Sequence, residues 1–193
     1  MSVTRPATDG DSAAQLIERL ARLVRAAEHE NGLNPAQWEA LRYIARCNRF
    51  SNAPAALAEY LSATKGTVSQ TLLALDRKGL VARKTRADDK RSIALELTRD
   101  GRAMLAQDPL SVLERRETEM TAAARTELVD ALSALLKAEL AARGHKAFGI
   151  CRSCRHFRAD AHVRAARRHH CALLDVSLSD DDAARICVEH EAA

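Results

Sequence analysis

Apolar positions recur every three to four residues along most of the 193-residue chain, and the period shortens to two at one place. From Ser12 onward Leu16, Ile17, Leu20, Leu23, Val24 and Ala27 share one stripe, with Glu18, Arg19, Arg22 and Arg25 opposite, which predicts an amphipathic helix. Ser12 behind Asp11 caps its start and Asn31-Gly32 stops it. Asn34-Pro35 opens a second helix, cap followed by first-turn proline, with Trp38, Leu41, Ile44 and Ala45 on its apolar side. A short helix over residues 53–61 turns Leu57, Ala58 and Leu61 inward, and Ser62-Ala63-Thr64 is a turn. Thr64 caps the next helix, which runs through Lys78 and ends at Gly79, with Val68, Leu72 and Leu75 as its buried side. Residues 80–84 and 92–98 then read as strands, the second alternating Ile93, Leu95 and Leu97 with polar or small neighbours. A helix begins at about Arg102 and is interrupted at Asp108-Pro109, because proline disfavours a helical residue before it. Helical pattern resumes through Arg143, with Leu128, Leu132, Leu135, Leu136 and Leu140 on one stripe.

Composition agrees with a mainly α chain. Hydrophobic residues make up 47% but aromatics only 3%, so Leu, Ala and Val must fill the core. The net charge of +4 is too mild to imply a nucleic-acid partner by itself. No apolar run reaches the roughly 18 residues of a membrane span, and the first residues lack the apolar core of a signal peptide. The expectation is a cytoplasmic protein in a reducing compartment, with residues 1–11 a disordered lead-in. Cys47, on an apolar helix with no His or Lys beside it, reads as core filler rather than as a reactive thiol.

Two short helices across a tight turn, followed by a basic hairpin, form the pattern of a winged helix-turn-helix. Thr64, Lys65, Gly66, Thr67, Ser69 and Gln70 lie on the outward face of the second helix. Small hydroxyl-bearing positions let a helix enter a groove about 12 Å wide, and a glutamine can pair two-pronged with adenine. Arg83, Lys84, Arg86, Lys90 and Arg91 put five positive charges around the hairpin, each able to neutralise a phosphate and release a counterion. Asp89 sits two residues before Arg91, where it can brace that guanidinium toward the minor groove. A solvated helix face would show a similar composition, and the hairpin tips the balance to DNA.

Asp89-Lys90-Arg91, the exit Leu95-Glu96-Leu97-Thr98-Arg99-Asp100-Gly101, the junction Gly79-Leu80-Val81 and Leu33-Asn34-Pro35-Ala36-Gln37-Trp38 together resemble the MarR family of winged-helix repressors. The resemblance covers roughly residues 12–143. It implies an obligate homodimer on a pseudo-palindromic double-stranded operator, often released by a small-molecule effector or by oxidation. It assigns base reading to residues 64–75 and the wing to Asp89 and Arg91. Gly66, in the first turn of the reading helix, is a position without a side chain to touch DNA. The stripe at residues 16–27 and the leucine seam after Leu128 fit the helical dimerisation bundle that such proteins build from both ends of this domain.

After Gly144 the sequence changes character. Cys151 and Cys154 form a C-x-x-C pair, Cys171 follows after sixteen residues and Cys187 after fifteen more, with His156, His162, His169, His170 and His190 among them. Two thiolates spaced this way chelate one ion and two distant cysteines complete a four-thiolate set. The apolar content of residues 144–193 is small for an independent core, and a bound metal would supply folding energy. Zinc and an iron–sulfur cluster suit the spacing about equally, since the second half lacks a paired motif. Reduced surface thiols or a regulated disulfide at Cys151 and Cys154 is the plainer alternative.

The domain plan is therefore a lead-in at 1–11, a winged-helix DNA-binding and dimerisation domain at 12–143, and a cysteine-rich putatively metal-free or metal-bound module at 144–193. No nucleophile–base pair or Gly-rich phosphate loop stands out, and a four-thiolate metal leaves no open position for catalysis, so an enzyme is not expected. The leading expectation is a repressor whose cysteine module, fused to the dimer bundle, senses redox or metal state. The alternatives are the same regulator with a purely structural zinc module, and a winged-helix module that binds protein.

Overall fold

The computed structural model describes residues 10–28, 32–86 and 92–193. Helix α1 (Ala13–Glu28) starts where Ser12 and Gln15 exchange cap bonds. Helix α2 (Pro35–Arg46) begins with a full capping box: Asn34 accepts from the Gln37 amide and Gln37 reaches back to the Asn34 amide. Helices α3 (Pro54–Tyr60) and α4 (Lys65–Arg77) follow across the turn at Ser62, whose φ of 50° is left-handed. Strands β1 (Val81–Thr85) and β2 (Ile93–Leu97) pair antiparallel, Val81 opposite Leu97 and Arg83 opposite Leu95.

Trp38, Leu41, Tyr43 and Ile44 of α2 form the centre of the core, against Leu57, Val68, Leu72, Leu75, Leu80, Val81, Leu95 and Leu97. Each buried leucine contributes about 2 kcal/mol relative to exposure. The Trp38 indole N–H donates to the Glu28 carbonyl at 3.1 Å, which ties the end of α1 to α2. Arg42 lies over the Trp38 ring and bridges the buried Glu28 carboxylate at 2.9 Å and Asp108 at 2.6 Å.

Helix α5 (Arg99–Leu105) starts three residues before the sequence pattern predicts, because Thr98 caps it by accepting from the Gly101 amide. The break at Asp108-Pro109 is as expected, and α6 (Ser111–Thr118) follows. The sequence pattern continues one helix from there to Arg143, whereas the structure opens a second break and starts α7 (Ala122–Ala142) afresh. The reason is local: the Thr121 hydroxyl accepts from the Ala124 amide and caps a new helix. Neither α6 nor α7 buries a residue, and no helix among the described residues is long and apolar enough to cross a membrane.

Beyond Gly144 come β3 (Gly149–Ile150), a 3-10 turn at Cys151–Ser153, β4 (Phe157–Arg158), β5 (His169–Cys171), β6 (Val176–Leu178), α8 (Asp180–Ala184) and β7 (Ile186–Cys187). Strand β3 pairs with β7, and β4-β5-β6 form a small antiparallel sheet. This segment packs on the winged-helix core. Ile186 is buried in the main core, and Phe148 meets Tyr60 and Tyr43 edge-on. The sequence reading attached the module to the dimer bundle; the structure seats it on the loop between α2 and α3.

Candidate nucleic-acid interface and cysteine module

Helix α4 is held by its inner face and offers its outer one. Val68, Leu72 and Leu75 are buried, while Thr64, Lys65, Gly66, Thr67, Ser69 and Gln70 are exposed. The Thr64 hydroxyl accepts from the Thr67 amide at 3.1 Å, leaving the amides of the first turn at the helix tip beside Lys65. This end of a helix carries partial positive charge and suits a phosphate. Lys65 and Ser69 share a cleft with Arg83 and Ser92 of the hairpin, so helix and wing present one continuous surface.

The wing residues divide. Arg83 is exposed, and Lys84 pairs with Glu96 at 2.6 Å on the surface. Arg86 turns away from the surface and donates to the Arg49 carbonyl and to the Asn52 side chain. Asp89, Lys90 and Arg91, expected to form the tip, lie outside the described residues. Gly79 takes a φ of 70° at the end of α4, and the Thr98 hydroxyl donates to its carbonyl at 2.6 Å, closing the base of the hairpin.

Of the four candidate ligands in the C-terminal module, Cys151 and Cys187 are buried and Cys154 and Cys171 half-buried, all as free thiols. Cys151 and Cys187 make up half of the buried residues of a second core, with Leu178 and Ala183, and Cys171 packs against it. Cys187 is drawn down to about 5, first by the hydrogen bond from the Cys151 thiol, against burial, with Asn48, the Glu189 amide and Ser51 adding further bonds. Cys151 is pushed up, first by donating to Cys187 and then by burial. A thiol–thiolate pair in this setting is a nucleus for soft-metal ligation, since the ligand is the thiolate. Among the described residues, no three His, Cys, Asp or Glu side chains already stand together as a metal site. A four-thiolate set therefore needs Cys154 and Cys171 to turn inward.

The histidines have other partners. His169 is buried; its Nδ1 accepts from the Asp160 amide at 3.1 Å, so Nε2 carries the proton and faces Asp180 at 3.0 Å. His156 faces Glu191, His170 faces His162 and Asp175, and His190 faces Ser153. Cys47 is buried in the main core with its thiol raised to about 11 by burial, the behaviour of core filler.

Sequence reasoning missed Asn48, Ser51 and Asn52. Asn48 and Ser51 are fully buried, and the Asn48 amide donates to Cys151 Sγ at 3.7 Å. They stand about a hundred residues from the cysteine they serve, and only the docking of the module reveals them.

Comparison with known proteins agrees with the fold. Residues 31–92 match the model of the MarR family. The HTH-type transcriptional repressor YetL of Bacillus subtilis (strain 168) is 34% identical over 76 residues, which is 39% of this chain and 46% of that protein. The chain thus spans about half the length of this curated relative. A MarR transcriptional regulator from Methanosarcina mazei Go1 superposes with a TM-score of 0.53 at 22% identity, over 66% of this chain and 95% of that one. The S. aureus MepR–DNA complex gives a TM-score of 0.52 at 20% identity, over 66% and 98%. The chain carries a mainly helical, MarR-family winged-helix domain, matched in sequence over residues 31–92 and in fold over about two thirds of its length.

Proposed function

We propose that this protein is a non-enzymatic transcriptional regulator, a repressor, that binds a pseudo-palindromic double-stranded operator as a homodimer. The observation that carries this is the two-sided character of α4: an apolar side locked into the core and an outer face of Lys65, Thr67, Ser69 and Gln70. Base discrimination falls to Gln70 and Thr67, and phosphate contact to Lys65, Arg83, Lys84, Lys90 and Arg91. Arg86 contributes by holding the root of the wing. That a relative bears the name of a repressor and a fold neighbour was solved on DNA supports the same reading.

The dimer follows from surfaces that one chain leaves bare. Leu16, Ile17, Leu20 and Leu23 of α1, and Leu128, Leu132, Leu135 and Leu136 of α7, are all exposed. Two apolar helix faces of this size call for a partner, and a second copy supplies both at once. A small-molecule effector acting on the dimer, and a zinc ion or iron–sulfur cluster on Cys151, Cys154, Cys171 and Cys187, complete the proposal.

Footprinting on the DNA upstream of the gene tests it. Two protected half-sites one helical turn apart, about 34–36 Å, are expected. A single half-site, or no protection, would overturn the operator reading.

A further inference from the structure

Between the cysteines and the wing lies one short stretch of chain, residues 48–52, bonded at both ends. At the cysteine end, the buried Asn48 side chain donates to Cys151 Sγ and its backbone amide donates to the Ile186 carbonyl at 2.9 Å, next to Cys187. The Ser51 hydroxyl accepts from the Val188 amide, on the other side of Cys187, at 2.9 Å. Arg49 donates to the Ser177 carbonyl and faces Asp182. Within the stretch, Asn48 Oδ1 accepts from the amides of Phe50 and Ser51, so the side chain that touches the thiol also fixes the turn. At the wing end, the Asn52 carbonyl accepts from the Leu95 amide at 2.7 Å, its side-chain amide donates to the Leu95 carbonyl, and Arg86 binds both Asn52 and the Arg49 carbonyl.

We infer that Cys151, Cys154, Cys171 and Cys187 form a soft-metal thiolate centre, and that residues 48–52 relay its occupancy to the wing through Asn52 and Arg86. The inference rests on the reading of the chain as a DNA-binding regulator and adds the route by which the module acts. Two of the four thiols already touch, a third borders them, and every histidine nearby is bonded elsewhere, so the donor set is sulfur. Asn48 and the Glu189 amide supply N–H donors to sulfur, the outer-shell bonds that metal thiolates accept and that orient them. With metal bound, Asn48 is pinned to a permanent thiolate. The turn, Asn52 and Arg86 are then fixed, and the wing meets DNA preorganised. Without metal the pinning weakens and the wing root loosens.

The test is operator affinity of the full-length protein in three states: metal-stripped, reloaded with zinc alone, and reloaded anaerobically with ferrous iron and sulfide. The reload that binds stoichiometrically identifies the metal, colourless for zinc and coloured for the cluster. The loaded form is expected to bind operator at least about fivefold more tightly than the stripped form, the lower range of allosteric coupling. Asn52→Ala should retain metal and bring this ratio close to one. Asn52→Asp, which keeps an acceptor for Arg86, should preserve it. On the wild-type chain alone, operator DNA should raise metal affinity by the same factor, because coupling is reciprocal. Equal or weaker binding by the loaded form, an unchanged ratio in Asn52→Ala, or no uptake of either metal would overturn the inference and leave the DNA-binding reading standing. Absence of operator binding in every state would instead refute that reading.

Discussion

Gly101 packs so closely on the first strand of the wing that a methyl group there would overlap the Leu80 carbonyl oxygen. Gly101→Ala should therefore destabilise the domain by roughly 1–3 kcal/mol, read as a lowered midpoint in urea. Arg42 is the second residue on which much depends. It is the shared cation of two buried carboxylates, Glu28 and Asp108, from opposite ends of the domain. Arg42→Ala leaves both uncompensated and should cost about 3–5 kcal/mol, whereas replacing all three residues by apolar ones would cost far less. The family motif that contains Gly101 is plain in the sequence, but its reason, a carbonyl oxygen twenty-one residues back in the chain, is not. The reading face of α4 was legible residue by residue because helical period alone separates Val68, Leu72 and Leu75 from Thr67, Ser69 and Gln70. Arg86 was not: charge suggests phosphate, and only the packed loop shows it turned toward Asn52.

At the level of elements, the caps carried most of what could be foreseen. Asn34, Thr64 and Gly79 mark their boundaries in sequence and in structure alike. Thr121 marks one that an unbroken apolar stripe conceals, since Leu128 to Leu140 continues the pattern across it. In the cysteine module, spacing predicts chemistry but not architecture. Helix α8 and the short strands around it are held by polar contacts that no periodicity encodes, above all Asp180 with His169, Arg168 and Arg152. The hydrogen bonds from His169 and then Arg168 hold the Asp180 carboxyl down at about 2. A depressed carboxylate stabilises the fold above its ordinary value near 4 and loses that contribution as the pH falls toward 2. Thermal melts of the wild type and Asp180→Asn should differ at neutral pH and converge between about pH 4 and about pH 2. A difference that persists unchanged at pH 2 would exclude this ion-pair account.

The whole molecule joins a DNA-facing surface, a bare leucine surface and a cysteine module that meets the first rather than the second. Its bare surface is the clearest statement the structure makes about assembly, with Leu23 and Leu136 exposed to 68% and 59%. Placing charge in the seam with Leu132→Glu and Leu136→Glu should convert the dimer to a monomer by light scattering while the winged-helix core, which uses neither residue, keeps its melt. The central claim is that two copies read DNA through α4 and a basic wing. Fluorescence anisotropy of labelled upstream DNA, titrated with the wild-type chain and with this double variant at several salt concentrations, tests it most directly. The account predicts wild-type affinity that falls log-linearly with salt, by a slope of about 0.9 per phosphate neutralised, and loss of tight binding in the monomer. Salt-independent binding, or equal affinity of the monomeric variant, would contradict it.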